Sequence, residues 1–396
     1  MLRAYLLIAT SIVVASPVAA QDSTGTASDP VARLVTRLDL EHYKATIKGL
    51  TQFGDRRQGT ARNRAAVDWI EQQLRSYGCS DVSQLTYEFQ PPPRTPGQGP
   101  GGAGRDTTRA AGGGRYRGMR ARTGVNSDSL RQPDAKLRAL DAEASTPGQR
   151  QEVYCTKIGA THPNEMYIVG GHMDGIGWGE AANDDGSGTA LVMELARIFS
   201  APDVTTDRSI RFALWNNEET GLNGARAYVE QRQTLQGKEE PAGSGKYPEP
   251  TWLGMIQHDM MMFDHGMPRA DGTLSPEQRP EADVNIEFQS SAKFADAART
   301  LAWTFQAANE KYATDYPASV GPHMTNTDSA PFQDLVAAIS LRENERGTQI
   351  GGGWDPNWHQ PTDRYTTYND KDFRLGLNAA QTTLGALAGL VGATLK

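Results

Sequence analysis

Cysteine is almost missing from this 396-residue chain, which has only Cys79 and Cys155. A thiolate-rich metal site is therefore not expected. Long apolar runs are scarce as well. Beyond the first twenty residues no stretch is apolar enough to cross a bilayer, so no membrane span is expected. Neither sign of charge dominates, with 40 Lys and Arg against 47 Asp and Glu and a net charge of -7. Arg115, Arg117, Arg120 and Arg122 lie in a Gly/Pro-rich stretch that reads as a solvated loop. No nucleic-acid partner is expected.

The N-terminus carries an export pattern. Arg3 gives a positive start, residues 4–14 form an apolar run too short to span, and Val18-Ala19-Ala20 offers a small-residue cleavage site. This predicts a signal peptide over residues 1–20, a mature start at Gln21, and a periplasmic or extracellular location. No cysteine follows the run, which argues against a lipid anchor. In an oxidising compartment Cys79 and Cys155 are expected to pair. Each borders a predicted strand, and together they bracket one irregular segment.

Residues 21–396 read as one domain. Apolar residues recur at helical spacing over residues 32–50 and 63–77, and Gly78 ends the second run. Residues 82–89 read as a strand. Residues 91–150 are rich in Gly, Pro and Arg and are expected to form a loosely packed insertion that is dispensable for catalysis. From residue 166, strands (166–170, 209–215, 252–257, 284–288, 336–341) alternate with helices (186–199, 222–231, 292–311, 372–390). Such alternation predicts an α/β fold, a three-layer α/β/α sandwich around a mixed, mostly parallel sheet. Sites in such sheets form beyond the carboxyl ends of the strands.

Five short segments place acids and histidines at such positions. Gly171-His172-Met173-Asp174 follows an apolar strand, and Asp184-Asp185-Gly186-Ser187-Gly188 runs into a helix. Glu218-Glu219-Thr220-Gly221-Leu222 ends another strand, Asp259 follows a third, and His359-Gln360-Pro361-Thr362-Asp363 lies in a late loop. Singly, each has a structural explanation: a packed histidine, a helix cap, acids at a helix start. Adjacent glutamates repel unless cations or protons compensate, and a buried acid without a partner is costly.

Together and in this order, the segments resemble the co-catalytic di-zinc aminopeptidases, metallopeptidase family twenty-eight. The resemblance implies that His172 and Asp259 bind one zinc, that Glu219 and His359 bind a second, and that Asp184 bridges the two. It gives Glu218 the role of general base toward an attacking water and makes Asp174 a partner of the His172 ring. The implied activity is removal of N-terminal residues from peptides with a free amino terminus.

Some positions depart from the family pattern. Ser329 stands where a histidine is usual, Met324 where some secreted members have tyrosine, and Ala225 where serine is usual. Substrate stabilisation is then left to His323, Asn326 or another group. Arg342 and Arg346 are not assigned: an arginine near the site could bind a substrate carboxylate, which would favour dipeptides or acidic residues, but surface or structural ion pairing is the expected role. Two other readings remain: a single-zinc glutaminyl cyclase, and a binding protein of the same fold without catalysis. A dipeptidase or carboxypeptidase of this fold would share the metal residues.

Overall fold

The computed structural model describes residues 29–91, 125–263, 284–322, 326–343 and 355–396. The expected signal peptide and the first part of the insertion lie outside these residues.

The chain begins with α1 (Pro30–Val35) and α2 (Leu40–Thr51). The sequence periodicity suggested one helix here. Asp39 divides it, because its side chain accepts the His42 N–H at 2.7 Å and starts a new helix. In the same way Thr60 caps α3 (Ala61–Ser76), accepting the Asn63 N–H at 3.1 Å.

The central sheet is built from β1 (Ser83–Phe89), β2 (Gly148–Lys157), β3 (His162–His172), β5 (Arg208–Trp215), β6 (Thr251–His258), β7 (Val284–Phe288), β8 (Ala318–Gly321) and β9 (Ala338–Glu343). A short β4 (Val204–Thr205) pairs instead with β10 (Thr394–Leu395). The strand order is β1-β2-β5-β3-β6-β9-β7-β8. The middle four, β5-β3-β6-β9, run parallel, while β1, β2 and the β7–β9 contact are antiparallel. The sheet is therefore mixed with a parallel centre, as the alternating pattern predicts.

Alternate residues of the central strands enter opposite cores. Val169, Ile210, Phe212 and Leu214 face one apolar cluster, which also takes in α5 (Gly186–Phe199), α7 (Ala295–Tyr312) and α8 (Asp370–Leu390). Met166, Ile168, Ala213 and Trp215 face the other, covered by α6 (Asn223–Arg232). There Trp215, Tyr228, Trp252 and Phe332 form an aromatic cluster with ring centroids 5.3–6.2 Å apart. This period of two, with both faces covered, explains why the strands read as near-continuous apolar runs.

The Cys79 and Cys155 residues form a disulfide with Cα atoms 6.0 Å apart, which ties the turn after α3 to β2.

The expected insertion is too wide at its C-terminal end. From residue 125 the chain is part of the fold: α4 (Ala135–Asp141) forms, Gln132 and Asp141 are buried, and β2 already starts at Gly148. Arg150 is buried too, donating to the Gln58 side chain at 2.6 Å and to the Thr146 carbonyl. Composition averaged over the segment hides these residues, because they are polar and their burial is offset by hydrogen bonds rather than apolar contact.

Candidate metal centre

The five ligand-bearing segments meet above the carboxyl ends of β3, β5 and β6. His172 ends β3, Asp184 lies just before α5, Glu218 and Glu219 follow β5, Asp259 follows β6, and His359 lies in the coil before α8. His172, Asp184 and Asp259 are buried, and Glu218 is 9% exposed.

Asp184 stands between the two histidines, one oxygen toward each. Its Oδ1 is 3.4 Å from His172 Nε2, and its Oδ2 is 2.9 Å from His359 Nε2. On the outer sides, Asp259 Oδ1 lies 3.9 Å from His172 Nε2 and Glu219 Oε2 lies 2.8 Å from His359 Nε2. Donor atoms of His172, Asp184 and Glu219 fall within 4.8 Å of one another, as do those of His172, Glu218 and Asp259.

The His172 tautomer follows from its partner. Nδ1 lies 3.0 Å from the Asp174 carbonyl, which can only accept, so Nδ1 carries the proton. The Nε2 lone pair then faces Asp184 and Asp259. This revises the expected role of Asp174: its carbonyl orients the ring, while its carboxylate is 3.9 Å away. The Asp174 Oδ1 instead accepts the Glu218 N–H at 3.0 Å, fixing the backbone of the Glu218-Glu219 turn.

Neighbouring side chains hold the ligand loops from beneath. Asp185 caps α5 through the Gly188 N–H at 2.9 Å and also accepts the N–H of His172 at 2.9 Å and of Met260 at 3.1 Å. One carboxylate thus joins the ends of β3 and β6 to α5. Asp363 accepts the N–H of Asn183 at 2.9 Å and of Asp184 at 3.1 Å. Asn183 in turn donates to Glu343 at 2.8 Å and to Asp355 at 2.9 Å. Arg56 is wholly buried and donates to the carbonyls of Met173, Glu180 and Ala181 at 2.6–2.8 Å, clamping both ends of the β3–α5 loop.

Backbone shape is unusual around the centre. Asn217 and His359 have left-handed φ values of 63° and 56°. Gly177, at φ 106°, packs so closely on the His359 carbonyl carbon that an added Cβ would lie 2.3 Å from it. Only glycine fits there. Non-glycine residues in this region are strained and cluster at functional sites.

The electrostatics is that of a charge-rich, poorly compensated pocket. Burial pushes Glu219 up to about 7 against the pull of His359. Burial opposes the charged form of His359, but Glu219 and Asp184 outweigh it and raise the ring to about 10. Burial, then the nearby Asp355, pushes Asp363 up to about 8. Burial also raises Glu218, and His172 is raised by Glu218 and Asp184 in spite of burial. Without a metal, protons must supply the missing positive charge.

These residues suit zinc. Asp184 Oδ2, Glu219 Oε1 and His359 Nδ1 are buried without a hydrogen-bond partner. The short Asp184 Oδ2–His359 Nε2 approach brings together two atoms that can each ligate a metal. Imidazole and carboxylate are zinc's preferred donors in oxygen- and nitrogen-rich sites.

Sequence reasoning placed all seven residues in one pocket, and the structure brings them together. It missed Arg56 and the loop-bracing roles of Asp185 and Asp363. Arg342, read as a general ion-pairing residue, donates to Asp259 Oδ2 at 2.5 Å. Ser329 points to Ser340, with the two hydroxyls 2.8 Å apart. His323, Met324 and Arg346 lie outside the described residues.

Comparison with known proteins gives a consistent result. The profile of Peptidase family M28 matches residues 153–379. The chain is 27% identical over 252 residues to the probable lipoprotein aminopeptidase LpqL of Mycobacterium tuberculosis, a match covering 61% of this chain and 45% of that protein. It spans less than half the length of the curated relatives it matches. Among solved structures, it superposes with a TM-score of 0.58 and 18% identity on BSAP, a zinc aminopeptidase from Bacillus subtilis, covering 89% of this chain and 95% of that one. The glutaminyl cyclase of Porphyromonas gingivalis gives a TM-score of 0.56 at 15% identity, covering 89% and 99%. At such identities these structures share the fold.

Proposed function

The chain belongs to peptidase family M28, and on that premise we propose that it is an exported zinc aminopeptidase acting on peptides with a free amino terminus. The observation that carries the reading is the placement of Asp184, with one oxygen toward His172 and the other toward His359. A single carboxylate so placed could serve two cations. His172, Asp184 and Asp259 would hold one zinc, and His359, Asp184 and Glu219 the other. Each set would supply three protein ligands, the number usual for a catalytic zinc. Asp174 supports the first position through its carbonyl.

Bound zinc supplies Lewis acidity, which acidifies water and polarises a carbonyl. Glu218 takes the proton from the attacking water and returns it to the departing amine. Its N–H is fixed by Asp174, so its side chain is aimed from a rigid turn. The remaining carboxylates give the pocket a negative character that suits a protonated α-amine. The Cys79–Cys155 disulfide supports an oxidising compartment, in keeping with export.

Glutaminyl cyclase chemistry is the alternative, given the shared fold. The deciding assay uses aminoacyl-anilides beside peptides with N-terminal glutamine, with and without chelator, on protein of measured zinc content. Chelator-sensitive release of the anilide with about two zinc ions per chain supports the aminopeptidase. Cyclisation with one zinc and no anilide release overturns it.

A further inference from the structure

We infer that Arg342 makes the two zinc positions unequal, weakening the His172–Asp259 position relative to the His359–Glu219 position. The inference rests on the two-zinc reading above. Arg342 lies near the end of β9 and is 3% exposed. Its Nη2 donates to Asp259 Oδ2 at 2.5 Å and to the Asn326 carbonyl at 2.9 Å. Asp259 is left with Oδ1 for a metal, the oxygen that faces His172.

The other position has no such neighbour. Among the described residues no lysine or arginine pairs with Glu219 or Asp184. Asp184 is common to both positions, so the difference lies in the outer ligands. Glu219 meets the titratable His359 ring at 2.8 Å rather than a fixed cation, and its second buried oxygen, Oε1, has no hydrogen-bond partner. Asp259 offers a carboxylate whose charge is already met by a guanidinium.

Two effects of Arg342 oppose each other. A hydrogen bond to a ligating carboxylate orients it and tightens metal binding. A full positive charge beside the ligand repels a dication, strongly in a buried setting. A neutral donor would give the first effect without the second, so the charge is what distinguishes arginine here. Glu218 also lies near the His172 and Asp259 donor atoms. Substitution of Arg342 leaves Glu218 in place and so separates the two contributions.

The experiment titrates zinc into the chelator-stripped full protein against a competing chromophoric chelator. Wild type should bind two equivalents, the second at least about tenfold more weakly. Asp259→Asn should lose the weak equivalent and Glu219→Gln the tight one. Arg342→Gln keeps an amide donor and removes the charge, so it should tighten the weak equivalent by about tenfold, the order that relief of a nearby unit charge supplies in a buried site, and move the tight one less. Arg342→Lys keeps the charge and should keep the inequality, which tests the idea even if the glutamine variant does not fold. Two equal sites in wild type, or an unchanged or weaker second equivalent in Arg342→Gln, overturn the inference and leave the aminopeptidase reading standing. Failure to bind zinc at all overturns both.

Discussion

Glu218 and Glu219 are neighbours in the chain, yet they face different tasks. Glu219 meets His359 at 2.8 Å, while Glu218 is held by its N–H on Asp174 and clusters with His172 and Asp259. Glu218→Gln should lower turnover by about 10²–10⁴-fold with zinc content unchanged. Metal analysis and steady-state kinetics on one preparation check this, and near-normal turnover would remove Glu218 as the base. A second prediction concerns Asp141. Burial, then Asp55, raises its carboxyl to about 7 from an ordinary 3.8, against Arg62. The folded state therefore keeps this proton while the unfolded state loses it near pH 4. Stability from this group is present below that pH, falls as pH rises toward 7, and is flat above. Asp141→Asn should match wild type at pH 4 and exceed it at pH 8 in denaturant melts. An equal difference at both pH values would contradict the assignment. The ligands themselves were legible because their order and residue types are distinctive. Arg56 was not, because an arginine that serves backbone carbonyls has no local pattern to betray it.

At the scale of elements, α5 and the central strands followed from periodicity and capping. Asp185 was legible as a helix cap but not as the carboxylate that also receives β3 and β6 N–H groups, since those partners are 13 and 75 residues away. The segment before β2 was misread for a similar reason. Gln132 is fully buried, and its Nε2 donates to the Trp178 carbonyl at 2.7 Å and the Pro361 carbonyl at 3.0 Å. The Asn126 N–H donates to the His359 carbonyl at 3.0 Å. This short strap braces the β3–α5 loop against the His359 loop, so a deletion reaching residues 126–150 should impair the centre. Gln132→Ala leaves two carbonyls without their donor. It should cost about 1–3 kcal/mol in urea unfolding and lower zinc retention. Unchanged stability and zinc content would show that the strap is incidental.

For the whole molecule, the parallel centre of the sheet decides where the chemistry sits. Strands β3, β5 and β6 run the same way, so their loops open on one edge and carry ligands far apart in sequence to one point. The sheet's antiparallel margins and the β7–β8 pair were beyond sequence reading, because pairing partners depend on packing between distant segments. The same convergence gathers more buried carboxylates than its cations can balance: Asp184, Asp185, Glu218, Asp259, Asp328 and Asp363 are all buried, against Arg56 and Arg342. Such a cluster opposes the folded state unless protons or metals enter. Zinc, which binds the folded pocket and not the dispersed chain, should therefore stabilise the whole domain. At free zinc about 100-fold above the dissociation constant, linkage gives roughly 2.7 kcal/mol per site. Calorimetry of the chelator-stripped protein should show a lower unfolding temperature that zinc restores and magnesium does not, because the centre offers two imidazoles. His359→Ala should lose part of that restoration, and Cys79→Ser should lower the baseline without altering the zinc response. If zinc leaves the unfolding temperature of wild type unchanged, the pocket is not a metal centre and its carboxylates are balanced by protons alone.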